Sequence, residues 1–170
     1  LTLATQKCLM SEIHDGIYAV PIESVTEIVQ MSPSEIHYVQ GQPFARVRDR
    51  VIPILRLNEV FPHSLFPEDK LNDLDLVTLV ILSSEDSRAA LRVHKLIGEE
   101  NIVIKALNKN FQDVQGLSGV SILGTGKLSL ILDVSSLFEQ VAQASTDQHV
   151  ESLQQKKSGH VKKDDSQNDQ

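Results

Sequence analysis

Arg46-Val47-Arg48-Asp49-Arg50-Val51-Ile52-Pro53-Ile54-Leu55-Arg56-Leu57-Asn58-Glu59-Val60-Phe61 decides the fold. β-Branched and aliphatic residues from Val51 to Leu57 favour extended backbone. Val51, Pro53, Leu55 and Leu57 recur at period two, the mark of a half-buried strand with these four on its inner face. A tight turn is expected near Asp49, and Asn58 is suited to cap a helical turn that carries Val60 and Phe61. Pro53 has no N–H to give a neighbour, which places this strand at an edge or a bulge.

The layout returns at Leu128-Ser129-Leu130-Ile131-Leu132-Asp133-Val134-Ser135-Ser136-Leu137-Phe138. Leu128, Leu130, Leu132 and Val134 share a face, with Ser135 as the expected cap of the turn bearing Leu137 and Phe138. Ile54-Leu55-Arg56-Leu57 lies over Ile131-Leu132-Asp133-Val134 without a gap, and each copy follows a turn signal: Arg48-Asp49 in one, Gly124-Thr125-Gly126 in the other. The pattern fits two related sub-barrels. It also fits two amphipathic strands that merely look alike.

The remaining elements are short and extended. Lys7 to Ile13 reads as a strand with Cys8 and Met10 on one face and Leu9 on the other. His14-Asp15-Gly16 is its hairpin turn, and Ile17 to Ile22 the return. Glu23-Ser24-Val25 forms a tight helical turn, Thr26 to Met31 a strand, Ser32 to Glu35 a turn, and Ile36 to Val39 a strand. Gly41-Gln42-Pro43 breaks the chain. Leu76 to Leu82 is a near-continuous apolar run, expected as a central strand buried on both faces. Arg88 to Val93 follows as a strand, His94 to Glu100 as a turn closed by Gly98, and Ile102 to Lys105 as a further strand. Gly116, Gly119, Gly124 and Gly126 mark a region that wraps tightly around a strand crossing. Residues 137–144 can form a short helix. The segment 62–75 reads as an exposed connection, and the polar chain from Ser145 onward as disordered. About ten closely spaced short strands with almost no helix define an all-β barrel pair.

Composition narrows the function. With a net charge of −7, nucleic acid is a poor partner for the chain. One cysteine, Cys8, excludes an internal disulfide framework and fits a reducing compartment. No apolar run approaches the roughly 20 residues of a membrane span. Gly124-Thr125-Gly126-Lys127 resembles part of a phosphate-binding loop, but Ser121 stands where a further Gly is needed and Leu128 where the Mg²⁺-binding hydroxyl belongs. The segment also leads into a strand rather than a helix N-terminus. No two of the six histidines have metal-ligand spacing on one element. His14 reads as a solvated turn residue, and His94 as one that hydrogen-bonds locally. Asp73 with Asp75, and Glu99 with Glu100, lie in polar turns with no apolar wall to raise a carboxyl pKa. Catalytic residues, cofactor and metal are therefore all expected to be absent.

Arg46, Arg48 and Arg50 fall on one face at period two, with Arg56 beyond them. Three like charges are costly to bury, so that face is exposed or met by carboxylates. Glu27 is the expected intramolecular partner of Arg48. Such a face serves either as a solvated edge that blocks aggregation or as a docking surface.

The opening stretch, the segment Gly16 to Val29 and the segment Gly119 to Val134 together resemble the CheW-like domain family. The resemblance covers about residues 8–142. It is closer to the C-terminal regulatory domain of the chemotaxis histidine kinase CheA than to the free adaptor CheW. Leu96 to Leu107 resembles that kinase's second subdomain, and Leu1-Thr2-Leu3-Ala4 the end of its ATP-binding domain. The resemblance implies two intertwined five-stranded SH3-like barrels with short helical turns and a short C-terminal helix. It divides the chain into a kinase remnant (1–7), a regulatory and coupling domain (8–142) and a polar tail (143–170). The implied role is cytoplasmic and non-catalytic: coupling a two-component kinase to CheW and to the cytoplasmic tips of chemoreceptors, alongside the other domains of the parent kinase. The positions matching Val25, Glu27 and Arg48 lie in a region tied to partner binding. The chain departs from the family pattern in three places: Asp49 where glycine is usual, His94 where aspartate is usual, and Thr125 where an acidic residue is common. A stand-alone CheW-type adaptor and an unrelated small-ligand-binding β-barrel are the alternatives.

Overall fold

The computed structural model describes residues 4–55, 57, 75–105 and 116–143. The expected turn at Asn58, the connection 62–75 except its last residue Asp75, the polar segment before Gly116, and the tail from residue 144 lie outside these. Eleven strands are present: β1 (Thr5–Ile13), β2 (Gly16–Pro21), β3 (Val25–Met31), β4 (Ile36–Val39), β5 (Gln42–Val47), β6 (Arg50–Leu55), β7 (Val77–Ser84), β8 (Ser87–Val93), β9 (Lys95–Val103), β10 (Leu117–Ile122) and β11 (Leu128–Leu132). A helix, α1, spans 134–143. The chain is all-β with one short helix, as its strand-rich pattern predicts.

The strands form two sheets, in the orders β3-β7-β8-β6-β5-β4 and β10-β11-β2-β1-β9. Each rolls into a five-stranded barrel by bending one strand. In the first barrel β3 runs through a 3-10 turn at Pro33–Glu35 into β4, so one bent strand reaches from β7 round to β5. The Glu35 side chain fixes that bend by accepting the Ser32 N–H at 2.6 Å. In the second barrel β9 pairs with β1, and Lys105 just beyond it bridges to Val120 on β10. The barrels are interlocked. Hairpin β7–β8, from the second half of the chain, completes the barrel of β3 to β6; hairpin β1–β2, from the first half, completes the barrel of β9 to β11.

The repeated motif occupies equivalent places. β6 pairs in parallel with β8, Ile54 beside Ala90, and β11 pairs in parallel with β2, Ile131 beside Ala19. Ile54 and Ala90 point into the first barrel, Ile131 and Ala19 into the second. Leu55, Leu57, Leu132 and Val134 share a third cluster, the largest of the three, pressed between the barrels. Strand β7 feeds two clusters by alternation: Val77, Leu79 and Ile81 enter the first barrel, Val80 and Leu82 the layer between. That double burial is why its sequence is continuously apolar. β1 does the same for the second barrel, with Cys8 and Met10 inside and Leu9 and Ile13 in the shared layer. Each fully buried aliphatic side chain contributes about 1.5–3 kcal/mol.

Several local expectations are corrected. Ile52 and Ile54 are the buried pair on the early part of β6, while Val51 is 70% exposed. The strand dips into the first barrel before Leu55 and Leu57 turn to the shared layer, so the inward face changes along its length. Leu128 is likewise exposed, and only Leu130, Leu132 and Val134 join the shared layer. Gln42 and Pro43 begin β5 rather than breaking the chain; the turn is Gln40-Gly41, both at positive φ. β9 is one strand, not a turn followed by a strand. Gly98, at φ 139°, absorbs a bulge in the register with β1, which only glycine does without cost. Asp133, not Ser135, caps α1: its carboxylate accepts the Ser136 N–H at 3.3 Å.

Candidate protein-interaction rim

The β5–β6 hairpin turns at Arg48 and Asp49, between the paired residues Val47 and Arg50. Both have positive φ, 47° and 64°, the signature of a type I′ two-residue turn. Neither is glycine, so the tip carries backbone strain on the order of 1 kcal/mol per residue. Two ion pairs brace it. Arg46 Nη2 meets Asp49 Oδ1 at 3.1 Å, and Arg48 Nε meets Glu27 Oε2 at 3.2 Å. The expected Arg48–Glu27 pairing is present. The expected single basic face is not: the turn falls inside the arginine series, leaving Arg46 on β5, Arg48 in the turn and Arg50 at the start of β6.

Glu27 stands on β3, an edge strand of the six-stranded sheet. A bulge between Val25 and Glu27 shifts the register against β7. Val25, Glu27 and Val29 are half-buried, and Thr26, Ile28 and Gln30 exposed. Val25 packs on the shared layer between the barrels. All three expected partner-contact residues therefore belong to the first barrel and its border with the second. Glu27 and Arg48 touch; Val25 lies along the same strand from Glu27. The Glu27 side chain is 22% exposed and the Arg48 side chain 83%, so the pair lies with its acid tucked in and its guanidinium outward. Exposed pairs of this kind contribute about 0–1 kcal/mol to stability. The free donors of the guanidinium remain available for a carboxylate or a backbone carbonyl.

Sequence periodicity gave no sign of three exposed apolar side chains at the strand ends, Val51, Ile122 and Leu128. Val51 stands directly across from Arg46, and Ile122 across from Leu128. Val51, Ile122 and Leu128 are each more than half exposed. Inverting the burial phase of β6 from its Pro53, which is only half-buried, is the signal that could have found Val51. No group of three or more His, Cys, Asp or Glu side chains suited to a metal exists among the described residues. Nor is any helix there long and apolar enough to cross a membrane. Cys8 is inert by position: burial, with a smaller push from the Glu23 charge, raises its thiol to about 11.

Two small interlocked barrels, a shared apolar layer and a braced hairpin tip beside the edge strand β3 define a β-barrel scaffold domain. The sequence profile of the CheW-like domain matches residues 7–142, and the chain belongs to that family. It is 37% identical over 139 residues to the chemotaxis protein CheA of Treponema pallidum and 34% identical over 139 residues to the sensor histidine kinase CheAY of Helicobacter pylori. Each match covers 82% of this chain but only 17% of the relative. The scaffolding protein TtCheW of Thermoanaerobacter tengcongensis has a similar fold, with a TM-score of 0.63 at 19% identity over 80% of this chain and 94% of that one.

Proposed function

We propose that this chain is the regulatory and coupling domain of a CheA-type histidine kinase, spanning residues 8–142, and that it works in the cytoplasm at chemoreceptor arrays. The observation that carries this is the identity of 34–37% to kinases of the CheA type across four-fifths of the chain. On this reading catalysis belongs to other domains of the parent kinase. This chain supplies binding to CheW and to receptor cytoplasmic tips, with Val25, Glu27 and Arg48 at the contact rim. The rim suits that task physically. Its backbone is fixed by a strained, ion-paired turn, its guanidinium faces outward, and β3 is an edge strand among the described residues.

The test is a pull-down of purified chain with CheW and with receptor cytoplasmic fragments from the same organism. Recovery of either partner is expected. Arg48→Glu should weaken it at least tenfold while unfolding stays cooperative and the Tm falls by no more than about 5 °C. Failure to recover either partner overturns the proposal.

A stand-alone CheW-type adaptor is the second reading, favoured by the 94% coverage of the TtCheW fold. The genomic reading frame upstream of Leu1 separates the two. An ATP-binding domain encoded there excludes the adaptor.

A further inference from the structure

The inner face of the second barrel turns polar at one end. There the strand register sets five residues at one level: Lys95 on β9, Glu12 on β1, Ile17 on β2, Ser129 on β11 and Ser121 on β10, each directly across from the next. Two residues further in, the same strands bring Gly98, Met10, Ala19, Ile131 and Gly119 to the next level. Only Met10 and Ile131 carry more than a methyl group there. Met10, Ala19 and Ile131 belong to the core of this barrel, and Ile17 packs against it, which fixes the inward side of both levels.

Two of the five outer positions are buried hydroxyls. Ser129 is fully buried and Ser121 is 3% exposed. Ser129 Oγ nevertheless has no hydrogen-bond partner among the described residues. Directly opposed residues of an antiparallel pair hold their Cβ atoms about 4.5–5.5 Å apart. The two hydroxyls therefore lie close on one face, yet they do not bond each other. An unpaired buried hydroxyl keeps its whole desolvation cost, and the great majority of buried polar side-chain atoms have a partner.

We propose that one ordered water sits between Ser129 and Ser121 and bridges their hydroxyls as a fixed part of the second barrel. Two O–H···O bonds of about 2.7–2.8 Å let a single water span hydroxyls up to about 5.5 Å apart, which suits an opposed pair too distant to bond directly. A buried water needs at least about two polar partners and a little room. The serines supply the partners, and the small residues at the level below supply the room. A hydroxyl can donate or accept, so either serine meets the water in either sense. Glu12, half-buried at the same level and two strands from Ser129, keeps this end of the barrel polar.

The position gives the water a structural task. Leu128 and Ile122, the chain neighbours of the two serines, face each other on the outer side of the hairpin and are more than half exposed. No apolar core lies under that outer pair to hold it. The bridge ties β10 to β11 from the inside, where two short serine side chains cannot reach each other.

The test uses the whole chain. Oxygen-17 relaxation dispersion of the solvent counts long-held waters and is blind to exchanging hydroxyl protons. Its amplitude should fall by about one water from the parent to Ser121→Ala/Ser129→Ala. Either single variant should show the same fall, because one hydroxyl alone does not hold the bridge. Ser11→Ala is the control. It removes another unpartnered buried hydroxyl, on the opposite face of β1, and should leave the amplitude unchanged. In urea unfolding each of Ser121→Ala and Ser129→Ala should lower the midpoint by about 0.3–1 M, and the double variant by little more than the larger single step. An amplitude that the double variant leaves unchanged overturns the proposal. So does a rise in the urea midpoint of Ser129→Ala, the result expected when an unhydrated hydroxyl is removed, or an equal loss of amplitude in Ser11→Ala.

Discussion

Gly119→Ala is the substitution that most directly probes how the second barrel closes. A Cβ at Gly119 would sit 2.8 Å from the Lys105 carbonyl oxygen and 3.2 Å from Ile104 Cγ2. The first of these is backbone and cannot rotate away. It also belongs to the bridge that shuts the barrel, where Lys105 N–H donates to the Val120 carbonyl at 3.1 Å and Val120 N–H donates back at 3.2 Å. Overpacking costs about 1–3 kcal/mol. Losing two bridging bonds adds about 1 kcal/mol each. The entropy that alanine removes from the unfolded chain offsets about 0.4–1 kcal/mol of this. A net loss of about 2–4 kcal/mol follows, and the Tm should fall by about 6–15 °C in thermal unfolding followed by circular dichroism. Gly124→Ala is the control. No atom lies within 4 Å of its added Cβ, and its Tm should stay within about 2 °C of the parent. If Gly119→Ala melts as the control does, the bridge does not close the barrel and the ring of five strands is wrong.

Four further outcomes follow from the same geometry. The alkaline limb of stability belongs to Cys8 and Tyr18, whose folded pKa values are raised to about 11 and about 12 by burial. Each stabilises the fold fully below its unfolded value, near 9 and 10, and loses that contribution as pH rises through the folded value, so Cys8→Ser with Tyr18→Phe should flatten the fall in urea midpoint above pH 9. At pH 8 the native Cys8 thiol should react with an alkylating reagent at least about a hundredfold more slowly than the unfolded chain, by mass spectrometry. A double-mutant cycle on Glu27 and Arg48 should give a coupling of about 0.2–1 kcal/mol that shrinks in 0.5 M salt, because one partner is well exposed. Ile131→Ala and Leu132→Ala should each cost about 2–5 kcal/mol by urea unfolding; both side chains are fully buried, one inside the second barrel and one between the barrels.

Residues with one job announced it in the sequence; residues with two did not. β1 alternates cleanly because each of its faces meets one core throughout, so Cys8, Met10 and Leu9 could be assigned from period two alone. The apolar run of β7 told of double burial for the same reason. β6 misled because its early part faces the first barrel while Leu55 and Leu57 face the shared layer, and a strand that changes cores has no single phase to read. The turn at Arg48-Asp49 was placed correctly, yet treating Arg46, Arg48 and Arg50 as one face ignored that the turn reverses the chain between them. Gly98 looked like punctuation because a bulge and a turn use the same residue. The Arg48–Glu27 pair was legible from charge and position. The contact in which the His14 backbone N–H donates to His94 Nδ1 at 2.9 Å was not, because nothing in local sequence couples two turns eighty residues apart.

The interlocking explains why the repeat is faint in sequence yet plain in three dimensions. Each half of the chain donates its first hairpin to the other half's barrel, so neither half encloses a core by itself. A side chain on β6 must fit against β8, and its counterpart on β11 against β2. The two copies therefore answer to different neighbours, and only the features that set the plan persist in both. These are the inward isoleucine facing an alanine, Ile54 with Ala90 and Ile131 with Ala19, and the leucine that follows it into the shared layer. An alanine opposite the isoleucine leaves room for the larger side chain at a parallel pairing, where a second large residue would overfill a small barrel. Because the donated hairpins carry the strands with two buried faces, folding of either barrel requires most of the chain. The rim then sits on a frame whose two rings are obliged to form together.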